Sequence, residues 1–313
     1  MIRFKIVTFV CKLLPPAIAQ TFRNLMFPIG LARKENRAFE KEAITGSKFK
    51  GELGDYHSYR FAVHGYFDWR NIIIAHTICK VKTGDIVEVG ANVGTETISY
   101  SDLLENRGVV HAFEPLPINY EALEKLQPNY PNIIIYKKAI SNQSGVATFQ
   151  IPPEKASGTG KLTEEVEGIA NENTLEVETL TLDSLSPSFQ NISFMSIDTE
   201  GHEPFVLEGA RQLIADTKPA IILEVSPKLL RKYAKQTTKE VFHYFKEMEY
   251  ECFEIGFSSL QRVTASNLTK KQSSNWLCLH LSDISISKTI NRNLKIRTFV
   301  PWYLLSSIKP NSR

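Results

Sequence analysis

The sequence predicts an α/β protein with a doubly wound, mostly parallel β-sheet, a small β insertion and a helical N-terminal extension. Three observations predict this fold: short apolar runs between residues 85 and 225, helix-length segments between those runs, and a glycine-rich turn directly after the first run. The runs lack the polar alternation of a sheet with one solvated face, which is typical of buried parallel strands. Strands that alternate with helices form an open parallel sheet with right-handed crossovers.

The predicted elements follow in order along the chain. A helix over residues 69–80 leads into the sheet. The predicted strands of the sheet are residues 85–89, 109–113, 133–137, 194–197 and 221–225. The predicted crossover helices are residues 95–106, 116–127 and 204–215. After the fifth strand we predict a helix and two further strands, at residues 238–248, 250–255 and 276–281.

Two segments break this alternation of strands and helices. In residues 145–152 and 173–182, polar and apolar side chains alternate as in strands with one exposed face. Between them lies a polar stretch that contains glycine, residues 154–171. We interpret the region as a β insertion that carries a mobile loop over the functional site.

Length and charge limit the class of protein. The 313 residues, of which 42% are hydrophobic, suffice for one sizeable core. Residues 1–50 hold ten Lys/Arg and three Asp/Glu, and residues 284–313 hold six Lys/Arg and no acidic residue, so the middle of this +3 chain is acidic. An acidic body argues against nucleic acid as the main partner, whereas basic ends favour an anionic surface. We therefore predict a basic helical extension (1–59), a central domain (60–283) and a basic C-terminal tail.

The first twenty residues allow three interpretations. Residues 17–19 (AIA) resemble a secretory cleavage site, but Lys12 interrupts the apolar stretch and argues against a signal peptide. An interfacial amphipathic helix, with Arg3 and Lys5 among apolar residues, and a helix packed on the body both stay open. No apolar run has the length of a membrane span, and four widely spaced cysteines indicate buried thiols of a reducing compartment. We expect a cytoplasmic protein, with peripheral attachment to the inner face of the membrane as one option.

The sharpest motif is the turn after the first strand, in residues 85–94 (DIVEVGANVG). Gly90 permits a tight turn, Gly94 permits close approach of helix and strand, and Asn92 tolerates positive φ. N–H groups at the start of the following helix can then meet an anionic ligand group. Glu114 ends the next strand, 24 residues after Gly90, where a carboxylate accepts from both hydroxyls of a ribose. Turn and acid together fit NAD, FAD or S-adenosylmethionine.

Several segments, in this order, resemble the FkbM-type methyltransferases. They are EVGANVG (88–94), HAFEPLPINYEAL (111–123), KAIS (138–141), LTLDSL (180–185), SIDTEGHEPFVLEGA (196–210) and IILEVSP (221–227). The resemblance spans residues 60–282, and its most specific part, residues 197–203, is similar to the family signature I-D-V-E-G-x-E. Glu88 stands where that family more often has Asp, and Thr199 where it has Val.

The resemblance implies a class I, Rossmann-like methyltransferase that uses S-adenosylmethionine to methylate a hydroxyl of a sugar, a glycan or a secondary metabolite. It implies a role in glycan biosynthesis and a hydroxyl-bearing small molecule or glycan as partner, with no nucleic acid. Glu88 would place negative charge near the sulfonium and the ammonium group, Glu114 would hold the ribose, and two residues would face the adenine, Ile140 and Ser141. The full set implied at the cofactor is Glu88, Gly90, Asn92, Gly94, Glu114, Ile140, Ser141 and Asp198.

An alcohol acceptor is a weak nucleophile at neutral pH, so a base that removes its proton would help. The candidates lie after the fourth strand and at the end of the fifth, where ligands bind in such sheets: Asp198, Glu200, His202 and Glu224. Asp198 is the first choice as a cofactor-side or base residue, and His202 is either a base or a helix cap. Repulsion among the three carboxylates should raise a pKa or recruit a cation, although no ligand spacing demands a metal centre and none is predicted.

Two other functions stay open at this point. A nicotinamide-dependent oxidoreductase could use the same fold, but the chain lacks the G-x-G-x-x-G spacing. A non-catalytic partner protein could keep the fold, but it would not need the acids at positions 88, 114 and 198. Tyr66 and Asp68, which precede the sheet, either close over the cofactor or form an aromatic turn on the first helix. We expect the acceptor to be chosen by residues 154–171, by residues 256–275 and by the N-terminal region.

Overall fold

The computed structural model describes residues 2–152, 157–163, 173–268, 272–305 and 308–309. The helices are α1 Ile2–Leu13, α2 Pro16–Met26, α3 Ile29–Glu35, α4 Tyr56–His64, α5 Trp69–Cys79, α6 Thr97–Leu104, α7 Pro117–Leu126, α8 Leu182–Leu185, α9 Glu203–Glu208, α10 Arg211–Thr217, α11 Pro227–Leu229, α12 Thr238–Glu247 and α13 Ile286–Phe299. The strands are β1 Ala38–Glu42, β2 Lys48–Glu52, β3 Asp85–Val89, β4 Val110–Phe113, β5 Ile133–Tyr136, β6 Ala139–Ile140, β7 Gly145–Gln150, β8 Lys161–Thr163, β9 Thr174–Leu180, β10 Ile192–Ile197, β11 Ala220–Val225, β12 Tyr250–Ile255, β13 Leu260–Arg262 and β14 Ser274–His280.

The central sheet has the strand order β13-β12-β14-β11-β10-β3-β4-β5. Its strands from β11 to β5 pair in parallel, and β14 runs antiparallel between β11 and β12. Strands β3 and β10 are buried along their whole length, which explains their unbroken apolar sequence. The predicted doubly wound, mostly parallel sheet is therefore confirmed. The strand order reverses between β3 and β10, and ligands bind at the carboxyl ends of strands at such a point.

Helices cover both faces of this sheet. Helices α5, α6 and α13 pack on one face through side chains such as Ile72, Ile98 and Ile290. Helices α9, α10 and α12 pack on the other face through side chains such as Leu207 and Phe245. The single helix predicted over residues 204–215 is divided into α9 and α10, because α9 ends at Glu208 and the chain turns before α10 begins. No described helix is long and apolar enough to cross a membrane.

The prediction of a purely helical N-terminal extension is wrong. After α1 to α3 the chain forms an antiparallel hairpin of β1 and β2, in which Ala38 pairs with Glu52. Half of the residues in these two strands are charged and exposed, and Phe49 is their fully buried aromatic residue. Helix α4 begins before the predicted domain boundary at residue 59 and continues beyond it. The boundary itself stays a prediction.

The C-terminal segment is a packed helix over much of its length, where the sequence had suggested a basic tail. Helix α13 buries Ile290, Leu294 and Thr298. The Thr298 hydroxyl accepts a hydrogen bond from Trp69 Nε1 at 3.2 Å, which ties α13 to α5. The packed face of α13 therefore belongs to the body of the protein.

The β insertion forms a second sheet with the strand order β6-β9-β7-β8. Phe149, Leu162 and Val177 form a small core of their own with Leu116 and Ala139. Strand β8 and the short turn Ser157–Thr159 lie within the stretch that we predicted to be a loop, so this part has regular structure. Residues 154–156 and 164–171 of the predicted loop lie outside the described residues.

Candidate active site

The turn between β3 and α6 lies at the reversal of strand order. Gly90, Asn92 and Gly94 have φ values of 86°, 50° and 85°, in the left-handed region that favours glycine and tolerates asparagine. A Cβ atom at Gly90 would overlap the backbone oxygen of Asp198, so the turn touches the chain that follows β10. A Cβ atom at Gly94 would lie 2.7 Å from Leu123 Cδ2 of α7. The close approach at Gly94 is therefore to α7 and not, as predicted, to the strand.

Glu114 follows β4 directly, as predicted, and is 5% exposed. Its Oε2 atom accepts from the Asn92 N–H at 2.8 Å, and its Oε1 atom accepts from the Leu116 N–H at 2.9 Å. Burial raises the pKa of Glu114 to about 7, against the effect of these two donors. The carboxylate lines the cavity beside the turn, and the side chain of Asn119 is a third hydrogen-bond donor to it.

Glu88, near the end of β3, is a buried acid whose hydrogen bonding is incomplete. It is 4% exposed, and its Oε2 atom has no hydrogen-bond partner among the described residues. The side-chain amide oxygen and nitrogen of Asn92 are also buried and have no hydrogen-bond partner among the described residues. Burial raises the pKa of Glu88 to about 8, and the negative charges of Glu114 and Asp198 raise it further. Buried polar atoms normally have partners, so this corner of the site suits a polar ligand.

Three carboxylates meet at the ends of β10 and β11. Asp198, Glu200 and Glu224 each offer an oxygen within 4.8 Å of the others, so the predicted grouping of these side chains is confirmed. Asp198 is exposed toward the cavity, whereas Glu200 and Glu224 are half-buried. Burial and the charge of Asp198 raise the pKa of Glu200 to about 7, and burial and the neighbouring carboxylates raise the pKa of Glu224. Carboxylates this close share protons near neutral pH or bind a cation.

His202 contacts the insertion side of the site. Its Nε2 atom lies 2.9 Å from the hydroxyl oxygen of Ser141, which follows β6. Burial lowers the pKa of His202 to about 4, so the imidazole is neutral at physiological pH. His202 precedes α9, but its side chain makes no capping hydrogen bond there. The side chain thus positions Ser141, and Ile140 lines the cavity beside it.

Tyr66 and Asp68 belong to the packing around α5. The Tyr66 ring stacks on His64 and Trp302, with ring centroids 5.2 Å and 6.0 Å apart. Asp68 is the N-cap of α5, where it accepts from the Arg70 N–H at 2.9 Å and pairs with the Arg70 guanidinium. These contacts agree with the interpretation as an aromatic turn, and closure over a cofactor stays a prediction.

The insertion closes over this site and leaves a cavity of about 60 Å³. A Cβ atom at Gly158 would lie 2.5 Å from His57 Nε2 and 3.0 Å from Asn92 Nδ2, so the insertion packs directly on the glycine-rich turn. His57, Gly158 and Lys161 were not predicted as individual site residues, although Gly158 and Lys161 line the cavity. The polar, glycine-containing composition of residues 154–171 is the sequence feature that indicates a segment over the site. This cavity is smaller than the about 300–1,000 Å³ that is usual for small-molecule sites.

The strand order, the glycine-rich turn after β3 and the acid after β4 together define a Rossmann-like α/β fold with a nucleotide-type site, and the family match that follows makes it a class I methyltransferase fold. The sequence model described as "Methyltransferase FkbM domain" matches residues 88–252, and the chain belongs to this family. The family resemblance stated from the sequence is thereby confirmed.

Solved structures with a similar backbone fold include methyltransferases with low sequence identity to this chain. The methyltransferase FkbM of Methylobacillus flagellatus KT is 12% identical, with a TM-score of 0.40 over 88% of this chain and 58% of that chain. Fibrillarin of Aeropyrum pernix in complex with S-adenosyl-L-methionine is 12% identical, with a TM-score of 0.38 over 78% of this chain and 82% of that chain. Precorrin-6y C5,15-methyltransferase of Geobacter metallireducens GS-15 is 10% identical, with a TM-score of 0.35 over 67% and 86%. No curated protein matches the chain.

Proposed function

We propose that this protein is an S-adenosylmethionine-dependent O-methyltransferase that methylates a hydroxyl of a sugar, a glycan or a hydroxylated secondary metabolite. The observation that carries the proposal is that the buried Glu88 Oε2 atom and the buried side-chain amide of Asn92, both in the glycine-rich segment 88–94 of a chain of this family, have no hydrogen-bond partner among the described residues. A buried carboxylate without a partner is costly, and a cationic ligand group removes that cost. The sulfonium and ammonium groups of S-adenosylmethionine are such cations.

The remaining residues of the site fit the other parts of that cofactor. The carboxylate of Glu114 lines the cavity and suits a ribose hydroxyl, and the apolar side chain of Ile140 suits one face of an adenine. Ser141, held by His202, would lie at the same end. When bound, the cofactor supplies an electrophilic methyl group, and the protein contributes orientation and proton removal.

Asp198 is the residue that we propose as the general base. Its carboxylate opens onto the cavity and adjoins Glu200 and Glu224. Although the Asp198 side chain faces the cavity, desolvation by the cavity walls raises its pKa to about 6, closer to neutral pH, where a base is most effective. Asp198 would take the hydroxyl proton of the acceptor as the acceptor oxygen is methylated. The lowered pKa of His202 makes its neutral imidazole a weaker base, which favours the carboxylate.

Transfer of a radiolabelled methyl group tests both the reaction and the bond that forms. The protein is incubated with methyl-tritiated S-adenosylmethionine and a panel of free sugars, glycosides, glycolipids and hydroxylated metabolites. We expect label in a product that survives alkali, because methyl ethers resist hydrolysis and methyl esters release methanol. Label released by alkali would contradict hydroxyl methylation, and binding of the cofactor without transfer to any acceptor would favour a non-catalytic partner protein.

The Asp198→Asn variant tests the proposed base. We expect kcat to fall by about 10²- to 10⁴-fold, the usual contribution of general base catalysis, while cofactor binding persists. The matched control is Asp216→Asn, because Asp216 is an exposed acid of α10 that accepts a hydrogen bond from Gln212. Equal activity of both variants would remove Asp198 from the mechanism.

A further inference from the structure

Helix α1 presents an unbroken row of large apolar side chains to the solvent. Ile2, Ile6, Phe9 and Leu13 are exposed by 73%, 54%, 64% and 44%. Their spacing places all four on one side of an α-helix, and we call this row the apolar stripe. Single exposed apolar residues are common on proteins, but a contiguous patch of them marks an interaction surface.

The opposite side of α1 already serves the fold. Val7 and Cys11 are buried there, in a cluster with Ala19 of α2, Phe27 and Tyr59 of α4. This packing fixes the orientation of α1 on the body and leaves the apolar stripe outside. The two interpretations of this segment that the sequence left open are therefore compatible, since one helix has a packed side and a free side.

Exposed apolar side chains continue beyond α1. Arg3 Nε donates to the backbone oxygen of Met26 at 2.5 Å, which places the start of α1 beside the end of α2. There Leu25 is 75% exposed and Met26 is 37% exposed. The turn Trp302–Leu304 contacts α1 from the other end of the chain, and its Leu304 is 63% exposed. The free surface thus joins elements from both basic ends of the sequence.

Basic side chains border the apolar stripe. Lys5 and Lys12 lie seven residues apart along one edge of the stripe, and Arg3 lies along the other edge, all three exposed. Neither α1 nor α2 contains an acidic residue. An apolar face flanked by lysines is the pattern of a helix that lies in the interface of an anionic bilayer. A second copy of the chain on this surface would bring the lysines of both copies together, which argues against self-association.

We propose that the apolar stripe docks this protein on an anionic lipid bilayer, with α1 lying in the plane of the interface. Helix α1 has 12 residues, too few to cross a hydrocarbon core of about 30 Å. The docking does not rest on the proposed methyl transfer, because it requires only the surface of α1 and its neighbours. If both proposals hold, the active site acts on acceptors presented at a membrane, such as lipid-linked glycans.

Vesicle flotation of the full chain tests this proposal directly. The vesicles contain phosphatidylcholine with or without phosphatidylglycerol, at low and at high salt. We expect binding to the anionic vesicles at low salt, and weaker binding to neutral vesicles and at high salt. The variant Ile6→Gln/Phe9→Gln/Leu13→Gln should bind at least about tenfold more weakly, because three apolar side chains no longer enter the interface.

Two further variants separate the contributions. Lys5→Gln/Lys12→Gln should weaken binding by about fivefold for each lysine, since one lysine near an anionic surface contributes about 1 kcal/mol. The matched control Ile118→Gln/Val146→Gln replaces exposed apolar residues outside both ends of the chain, at 70% and 66% exposure, and should bind like the wild type. Circular dichroism checks that each variant keeps its fold.

Three results would overturn the proposal. The first is absence of the folded wild type from floated anionic vesicles at low salt. The second is equal binding by the wild type and the triple glutamine variant. The third is a wild-type dimer that does not float and that becomes monomeric in the triple variant, because the stripe would then belong to a contact between two copies.

Discussion

Replacing Glu88 by Gln removes a buried ionisable group and should change how stability depends on pH. The pKa of Glu88 is about 8 in the folded protein, against an ordinary value of 4.5. When folding raises the pKa of an acid, the folded state holds the proton more tightly than the unfolded state. The stability from this difference is fully present below the unfolded pKa and is lost as the pH rises through the folded pKa. Between the unfolded and the folded pKa, the free energy of unfolding falls by about 1.4 kcal/mol per pH unit. The wild type should therefore lose about 4 kcal/mol of stability between about pH 5 and about pH 9, and the variant should not lose it.

Urea unfolding at these two pH values, without added ligand, measures this difference. The free energy of unfolding of Glu88→Gln minus that of the wild type should rise by about 4 kcal/mol from the lower to the higher pH. The matched control is Glu247→Gln, whose side chain is 65% exposed, and its difference from the wild type should stay nearly constant. A difference for Glu88→Gln that is constant to within about 1 kcal/mol would contradict the claim that burial in the folded protein raises the pKa of Glu88.

Three further predictions concern the framework of the site. Gly90→Ala should destabilise the protein by roughly 3 kcal/mol or more in urea unfolding, because of its positive φ and the overlap with Asp198, whereas Gly30→Ala, with open space around it, should not destabilise it. Asp68→Ala should cost roughly 2–4 kcal/mol in the same measurement, because it removes the N-cap of α5 and leaves the Arg70 guanidinium unpaired; a cost below about 0.5 kcal/mol would contradict this. All four cysteines are buried, so an alkylating reagent should add to none of them in the native protein and to all of them in denaturant, as mass spectrometry can count; rapid native labelling would show that the thiols are accessible.

The sheet could be predicted because its physical causes are local in sequence. Strands β3 and β10 are buried on both faces, and this leaves unbroken apolar runs. The turn at Gly90 and Asn92 could be predicted because left-handed backbone selects these two residue types. The hairpin of β1 and β2 could not be predicted, because exposure alternates along both strands but each strand has one large apolar side chain, Phe39 or Phe49, to mark its inner face.

The candidate site was predictable where strand ends determine it. Asp198 and Glu224 follow or end neighbouring parallel strands, so their proximity follows from the order of the sheet. The contact of Ser141 with His202 and the packing of Gly158 on Asn92 could not be predicted, because they join segments far apart in sequence. Such contacts depend on how the insertion folds back over the sheet, and no residue pattern encodes that path.

Calorimetric titration of the purified protein with S-adenosylmethionine tests the central claim most directly, with Glu114→Ala and NAD as comparisons. The account predicts binding of S-adenosylmethionine to the wild type, strong weakening in Glu114→Ala, which lacks the proposed ribose acceptor, and no heat with NAD. Binding of NAD in place of S-adenosylmethionine, or equal affinity of the wild type and Glu114→Ala, would contradict it.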